Sequence, residues 1–227
     1  MSAKGFKDCS MIAFDLDGTL LDSAAFAVDA VLSALAELYA SLEVTRALPT
    51  YEQVRAQIGQ PFAQFYTGLL PHELEGHASS LHEAIFEREV EAMRTGRAKL
   101  FAHAETVLDE LRRRGYRLAL ISNASAGYFR AAIDTFGLTH WFSHAECLGD
   151  ANRPKPTMFR SALDQLGSAV GAMVGDKRGD IAAAREHGMP AIGVAYGYGT
   201  ADELAEATCT IQGLDELLSL FPRASHV

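Results

Sequence analysis

Basic residues are in short supply in this 227-residue chain: 20 Lys and Arg stand against 29 Asp and Glu, a formal net charge of -9. No long basic run offsets that balance, so neither duplex nucleic acid nor an anionic membrane surface is an expected partner. An anionic ligand would need a local cation or a metal to enter such a field. Cysteine is also scarce. Cys9, Cys147 and Cys209 are odd in number, far apart and without CxxC spacing, which argues against a disulfide framework or a cysteine zinc site. No apolar run approaches the roughly 18 residues of a membrane span, and Asp15 interrupts the N-terminal apolar stretch before it could serve as a signal sequence. The expectation is a cytoplasmic protein. No repeat or low-complexity segment is present.

What the chain does have is apolar bulk: 48% of its residues are hydrophobic and 22% charged, the balance of a globular domain. Its length suits one domain with a smaller accessory one. Short apolar runs at Met11–Phe14, Arg117–Ile121, Ala172–Val174 and Ala191–Ala195 read as strands buried on both faces, because they are continuous rather than alternating. Ala207–Ile211 reads as a fifth. Helical patterns at Ala104–Arg114, Ala126–Phe136, Pro156–Leu166 and Asp180–Glu186 lie between them, each stopping at or near a glycine. Strands alternating with helices imply a parallel sheet covered on both sides.

The stretch from Ala24 to Arg97 breaks that rhythm. It reads as helices at Ala24–Leu42, Tyr51–Ile58, Pro61–Leu69 and His72–Met93, with no strong strand. Inserted after the first strand, it would stand over the carboxyl ends of the strands, where ligands bind in open α/β sheets. The expected organisation is therefore a core of residues 1–22 and 98–227 with a helical cap of residues 23–97.

Four motifs sit at strand ends. The first is Asp15-Leu16-Asp17-Gly18-Thr19-Leu20. Carboxylates two residues apart point the same way while the chain is extended, and Gly18 permits a tight turn. The second is Ser122-Asn123, a hydroxyl and an amide able to bond phosphate oxygens. The third is Arg153-Pro154-Lys155-Pro156, where one cation could reach a phosphate and a carboxylate. Lys155 is favoured over Arg153 because two prolines stiffen it. The fourth is Gly175-Asp176-Lys177-Arg178-Gly179-Asp180, whose hard oxygen donors suit Mg2+.

In this order and spacing the four motifs resemble the haloacid dehalogenase superfamily over nearly the whole chain. The stretches VGDKRGDIAAAREHGMPAIGV and AYGYGTADEL resemble its phosphoglycolate phosphatase-like branch. The resemblance implies a Rossmannoid three-layer α/β/α core with a small helical cap. It implies Mg2+-dependent hydrolysis of a small phosphorylated metabolite, 2-phosphoglycolate being the first candidate, by a monomer or homodimer. Asp15 would be the nucleophile and Asp17 the acid–base group, with Lys155 as the catalytic cation. Asp15, Asp176 and the backbone carbonyl of Asp17 would hold the metal, and Asp180 would bind it or orient its waters and Lys155. Gly18, Thr19, Ser122 and Asn123 would hold the phosphoryl group, and Arg55, Gln57 and Gln60 of the cap would face the substrate. Many relatives read Lys-Pro-x-Pro where this chain has Arg153-Pro154-Lys155-Pro156. A 5'-nucleotidase, a pyrophosphatase and a sugar-phosphate mutase would use the same scaffold. A phosphonatase would need a cap lysine, and residues 24–97 contain none. The histidines are expected on the surface or in packing, and Trp141 and Phe142 in the core.

Overall fold

The computed structural model describes residues 5–151 and 153–223, so both ends of the expected core range and Asn152 lie outside the described residues. Strand β1 (Met11–Phe14) is followed by helices α1 (Ala24–Ser41), α2 (Tyr51–Gln57), α3 (Phe62–Leu69) and α4 (Ala78–Arg94). Then come α5 (Ala104–Arg113), β2 (Arg117–Ser122), α6 (Ala126–Phe136), β3 (His144–Cys147), α7 (Leu148–Ala151), α8 (Lys155–Gln165) and β4 (Gly171–Gly175). The chain closes with α9 (Arg178–Arg185), β5 (Ala191–Val194), α10 (Ala201–Leu204), β6 (Cys209–Ile211) and α11 (Leu217–Leu220).

The six strands form one parallel sheet in the order β3-β2-β1-β4-β5-β6. Successive side chains on a strand face opposite sides, and both sides are covered. Ile12 and Phe14 join Leu118, Leu120 and Val174 in the core under α5, α6 and the helical insertion. Met11 and Ala13 join Met173, Phe159, Leu163 and Ile181 in a second core under α8 and α9. That double cover explains why the central strands carry unbroken apolar runs. The result is the expected three-layer α/β/α architecture.

β1 lies at the centre, with Phe14 level with Leu120 of β2 on one side and Val174 of β4 on the other. The chain runs outward from β1 through β2 to β3, then crosses back to β4. The strand order therefore reverses at β1, and a crevice opens beyond its carboxyl end. The helical insertion starts there. Its two junctions lie side by side: the Asp22 N–H donates to the Lys99 carbonyl at 3.0 Å, and the Phe101 N–H to the Leu20 carbonyl at 2.8 Å. α1 packs on α4, and α4 on α6.

Several elements differ from the sequence-based expectation. β3 carries no apolar run. It is an edge strand of sequence HAEC, only partly buried, and an edge strand has no need of an apolar stretch on both faces. The helix expected over His72–Met93 divides into a 3-10 turn at His72–His77 and α4 from Ala78, a break that falls at Gly76-His77. β6 is shorter than the Ala207–Ile211 reading. α1, with 18 residues and a mean hydropathy of 1.4, is long and apolar enough to cross a membrane by length and composition. Half of it is buried here, and its apolar face is spent on α4 and α2. Trp141 and Phe142 are buried as expected, the latter edge-on to Phe14 at 6.0 Å between ring centroids.

Leu163 on α8 is fully buried under the sheet. Leu163→Ala is expected to lower the unfolding free energy by about 2–5 kcal/mol, read from denaturant titration. A loss of less than about 1 kcal/mol would contradict the tight packing of this layer.

Candidate active site

Four charged side chains converge beyond β1 and β4. Asp15 follows β1, and its N–H bonds the Val174 carbonyl at 2.9 Å, which fixes where its side chain starts. Asp176 follows β4, Asp180 lies in the first turn of α9, and Lys155 opens α8. The Lys155 Nζ donates to Asp15 Oδ1 and to Asp180 Oδ1, both at 2.6 Å. Asp180 Oδ2 accepts the Lys177 N–H at 2.9 Å, so both oxygens of Asp180 are engaged. Asp176 Oδ2 accepts the N–H groups of Tyr198 at 2.7 Å and Gly199 at 3.2 Å. All four side chains are buried.

Burial disfavours charge, and it drives the Asp15 carboxyl well above the usual carboxylate range while Lys155 pulls it partly back. Burial, reinforced by Asp180, raises Asp176 in the same way. For Lys155 burial opposes the ammonium, but Asp15 and Asp180 outweigh it and hold its pKa above the ordinary lysine value. One ammonium thus faces three buried acids.

Two carboxylate oxygens of this cluster, Asp15 Oδ2 and Asp176 Oδ1, are buried without any hydrogen-bond partner. Buried polar atoms are nearly always satisfied, and ligand oxygens of Asp15, Asp176 and Asp180 lie within 4.8 Å of one another. A hard divalent cation fits this donor set, Mg2+ above all, since it takes few carboxylates and keeps waters. Gly18 makes room for the cluster. It has φ +77°, and a Cβ there would stand 2.6 Å from Asp176 Oδ2.

Asp17 faces elsewhere. Its Oδ1 accepts the Tyr128 hydroxyl of α6 at 2.6 Å. Burial raises its pKa, against the lowering effect of hydrogen bonds from Tyr128 and Ser23. It borders a cavity of ≈ 220 Å³ between the core and the helical insertion. Asn123 and Gln60 border the same cavity. Asn123 Nδ2 donates to the Gly59 carbonyl at 3.0 Å, tying the insertion to the core. Ser122 is buried at the end of β2, and its Oγ accepts the Ala124 N–H at 3.1 Å, leaving its hydroxyl proton to donate.

Other expected residues are placed differently. Arg153 is exposed and pairs with Glu146, so Lys155 is the cation that enters the site. Arg55 does not border the cavity: it donates to the Gly197 carbonyl at 2.7 Å and lies over the Tyr198 ring. Gln57 packs against Gly68. The Gly18 N–H is committed to the Leu21 carbonyl at 3.0 Å, so Gly18 contributes space rather than a donor. Thr19 is buried with its Oγ1 unpartnered, beside the acidic turn. His82, expected on the surface or in packing, borders the cavity and shares a hydrogen bond with the Tyr66 hydroxyl at 3.1 Å. Sequence reading missed Tyr128, Lys177 and Glu89. Lys177 Nζ donates to the Ala56 carbonyl at 3.0 Å, a second tie to the insertion, and Glu89 borders the cavity. Each lies within an ordinary helix or turn pattern that carries no signal of its own.

The family model described as haloacid dehalogenase-like hydrolase matches residues 12–194. A protein named "Probable phosphatase IndB" from Dickeya dadantii (strain 3937) is 32% identical, covering 87% of this chain and 86% of its own. A phosphoglycolate phosphatase from Vibrio cholerae is 31% identical, covering 88% and 91%. Among solved structures, a predicted phosphoglycolate phosphatase from Haemophilus somnus superposes with a TM-score of 0.79 at 20% identity, covering 94% of this chain and 98% of that one. CbbY from Rhodobacter sphaeroides, in complex with phosphate, gives 0.72 at 24% identity, covering 92% and 96%.

If the two orphaned oxygens await a cation, Mg2+ is expected to raise the melting temperature of the wild type. A hundredfold excess over Kd corresponds to about 2.7 kcal/mol. Asp176→Asn is expected to lose at least about half of that rise in a thermal-shift titration. An equal rise in both proteins would refute the assignment of Asp176.

Proposed function

Because the chain belongs to the haloacid dehalogenase-like hydrolase family, we propose that it is a Mg2+-dependent phosphatase that cleaves a small phosphomonoester through an aspartyl-phosphate on Asp15. Its relatives named phosphatases make it a phosphoric monoester hydrolase. The supporting observation is the contrast between two carboxyls two residues apart. Asp15 sits in an ionic cluster with Lys155, whereas Asp17 borders the cavity under the helical insertion and accepts a tyrosine hydroxyl. A nucleophile and a proton carrier need that division of surroundings.

In this reading a carboxylate oxygen of Asp15 attacks phosphorus and the ester P–O bond breaks. Asp17, which borders the cavity where the leaving group would lie, protonates the departing alkoxide. It then takes a proton from the water that attacks the phosphorus of the aspartyl-phosphate, and inorganic phosphate leaves. Lys155 holds Asp15 in place and offsets charge on the phosphoryl oxygens, with Ser122 as a further donor. Bound Mg2+, held by Asp15, Asp176 and the Asp17 carbonyl and supported by Asp180, would screen the repulsion between nucleophile and substrate. Residues 23–97 act as a cap that excludes water and contacts the leaving group. A sugar-phosphate mutase needs a second phosphate site, and no lysine or arginine borders the cavity to make one.

Phosphate release from a panel of phosphorylated metabolites, with and without Mg2+, tests the reading. Asp15→Asn is expected to lower kcat by several orders of magnitude while the protein stays folded, and wild-type turnover in that variant would exclude Asp15 as nucleophile. Asp17→Asn is expected to slow alkyl esters by about 10²–10⁴-fold and 4-nitrophenyl phosphate much less, since that phenolate leaves without help. Equal losses on both would contradict the acid role.

The Tyr128 hydrogen bond favours the ionised form of Asp17 and so lowers its pKa. Tyr128→Phe should therefore raise that pKa. The alkaline fall in kcat/KM for an alkyl ester, which marks loss of the acid's proton, is expected to move to higher pH. A profile that stays put or moves down would disprove the coupling.

A further inference from the structure

The cavity beside Asp17 is where the leaving group of a phosphomonoester would lie, and its chemistry is unusual for an enzyme of anionic metabolites. Its walls are apolar and aromatic, including Ile58, Phe62, Phe65, Tyr66 and Ile85. Its volume of ≈ 220 Å³ equals about seven waters, more than a two-carbon acid fills. Two of its bordering groups are acids, Asp17 and Glu89, and none is a lysine or arginine. The nearby arginines are engaged elsewhere: Arg55 on the Gly197 carbonyl, Arg88 on Glu37 and the Ala84 carbonyl, Arg46 beside Glu73. The remaining basic candidate, His82, has its pKa lowered by burial and shares its Nδ1 with Tyr66, so it supplies no charge at neutral pH.

Glu89 comes from the middle of α4 and has no hydrogen bond among the described residues. Burial and the neighbouring Asp17 hold its carboxyl well above the ordinary glutamate range. Glu89 is half-buried, and no lysine or arginine among the described residues borders the cavity to pair with it. A carboxylate on the substrate would worsen the situation, meeting two acids with no cation. An ammonium would pair with Glu89, in a cavity whose lining includes the aromatic rings of Phe62 and Tyr66.

Resting on the phosphatase reading above, we propose that the substrate is the phosphomonoester of an amino alcohol with an apolar body, that Glu89 selects it by pairing with the ammonium, and that carboxylate-bearing esters such as 2-phosphoglycolate are poor substrates. Glu89 is a specificity-determining residue and takes no part in phosphoryl transfer.

Three matched esters test this: 4-(aminomethyl)benzyl, 4-methylbenzyl and 4-carboxybenzyl phosphate, with 2-phosphoglycolate beside them. For the wild type kcat/KM is expected to fall in the order amine, methyl, carboxylate, with the ends of the series separated by about tenfold or more. Glu89→Gln, close in shape, is expected to shrink the amine-to-methyl ratio about tenfold, and Glu89→Lys to move preference toward the carboxylate ester. Should a variant fail to fold, the wild-type order alone decides. A carboxylate ester or 2-phosphoglycolate turned over as well as the amine ester overturns this inference and leaves the phosphatase reading standing. No phosphate release from any ester, 4-nitrophenyl phosphate included, overturns both.

Discussion

Three buried acids share one buried ammonium at the carboxyl end of β1, and the rest of the site is arranged around that imbalance. Asp15, Asp176 and Asp180 carry three negative charges when ionised, and Lys155 returns one. Lys177, also buried, offsets Asp176 in part, and the cluster keeps an excess of acid. Such a cluster is destabilising by itself, and burial raises the carboxyl pKa of both Asp15 and Asp176. A divalent cation restores neutrality, and the two oxygens lacking hydrogen bonds belong to Asp15 and Asp176, the acids on the two central strand ends. Asp180 is excluded from that pair by its own bonds to Lys155 and the Lys177 N–H. In the proposed site it would position the cation-binding groups rather than complete the set.

The sheet makes this concentration of charge possible. β1 and β4 are neighbours in register, so the residues that follow Phe14 and Val174 emerge side by side. The turn after β4 and the turn after β1 then approach too closely for ordinary side chains. A Cβ on Gly18 would press on Asp176 and on the Tyr198 ring. Tyr198 in turn connects the acidic cluster to the helical insertion. Its N–H holds Asp176, its ring lies under Arg55, and its hydroxyl accepts the Ala24 N–H at the start of α1 at 2.8 Å. Arg55, Lys177 and Asn123 add three ties between core and insertion over residues 55–59. The seating of the insertion and the geometry of the acids therefore depend on the same residues, and movement of one is felt by the other.

The clustering of Asp15, Asp176 and Lys155 was legible in the sequence because these residues sit near the ends of buried strands, and buried strands announce themselves as apolar runs. Asp15, Asp17, Asp176 and Lys155 each stand next to such a run or beside flanking prolines. β3 escaped notice for the opposite reason: an edge strand of half-buried polar residues looks like a loop. Tyr128 and Glu89 were invisible because an aromatic or acidic residue on a helix is commonplace, and only the packing of α4 on α6 turns both toward Asp17. Arg55 drew attention as a conspicuous charge near a helix break, yet a guanidinium beside an aromatic ring and a free carbonyl satisfies itself there first. Composition could not distinguish a cation that meets substrate from one that fastens two parts of the chain.

The same distinction separates what family likeness conveys from what it leaves open. The side chains proposed for phosphoryl transfer take their positions from strand register, so they follow from the sheet and the motifs. The leaving-group cavity is lined mainly by side chains of the helical insertion, whose helices can superpose on a relative's while their charges differ. Likeness to a phosphoglycolate phosphatase therefore speaks for the family and its fold. It does not speak for a cavity with Glu89 and without a basic residue at its border. A glycolate carboxylate placed there would meet two acids and, among the described residues, no lysine or arginine. In a chain of net charge -9 that penalty would not be offset by the wider field, because distant surface charges are screened within about 8–10 Å and their net sign is the same.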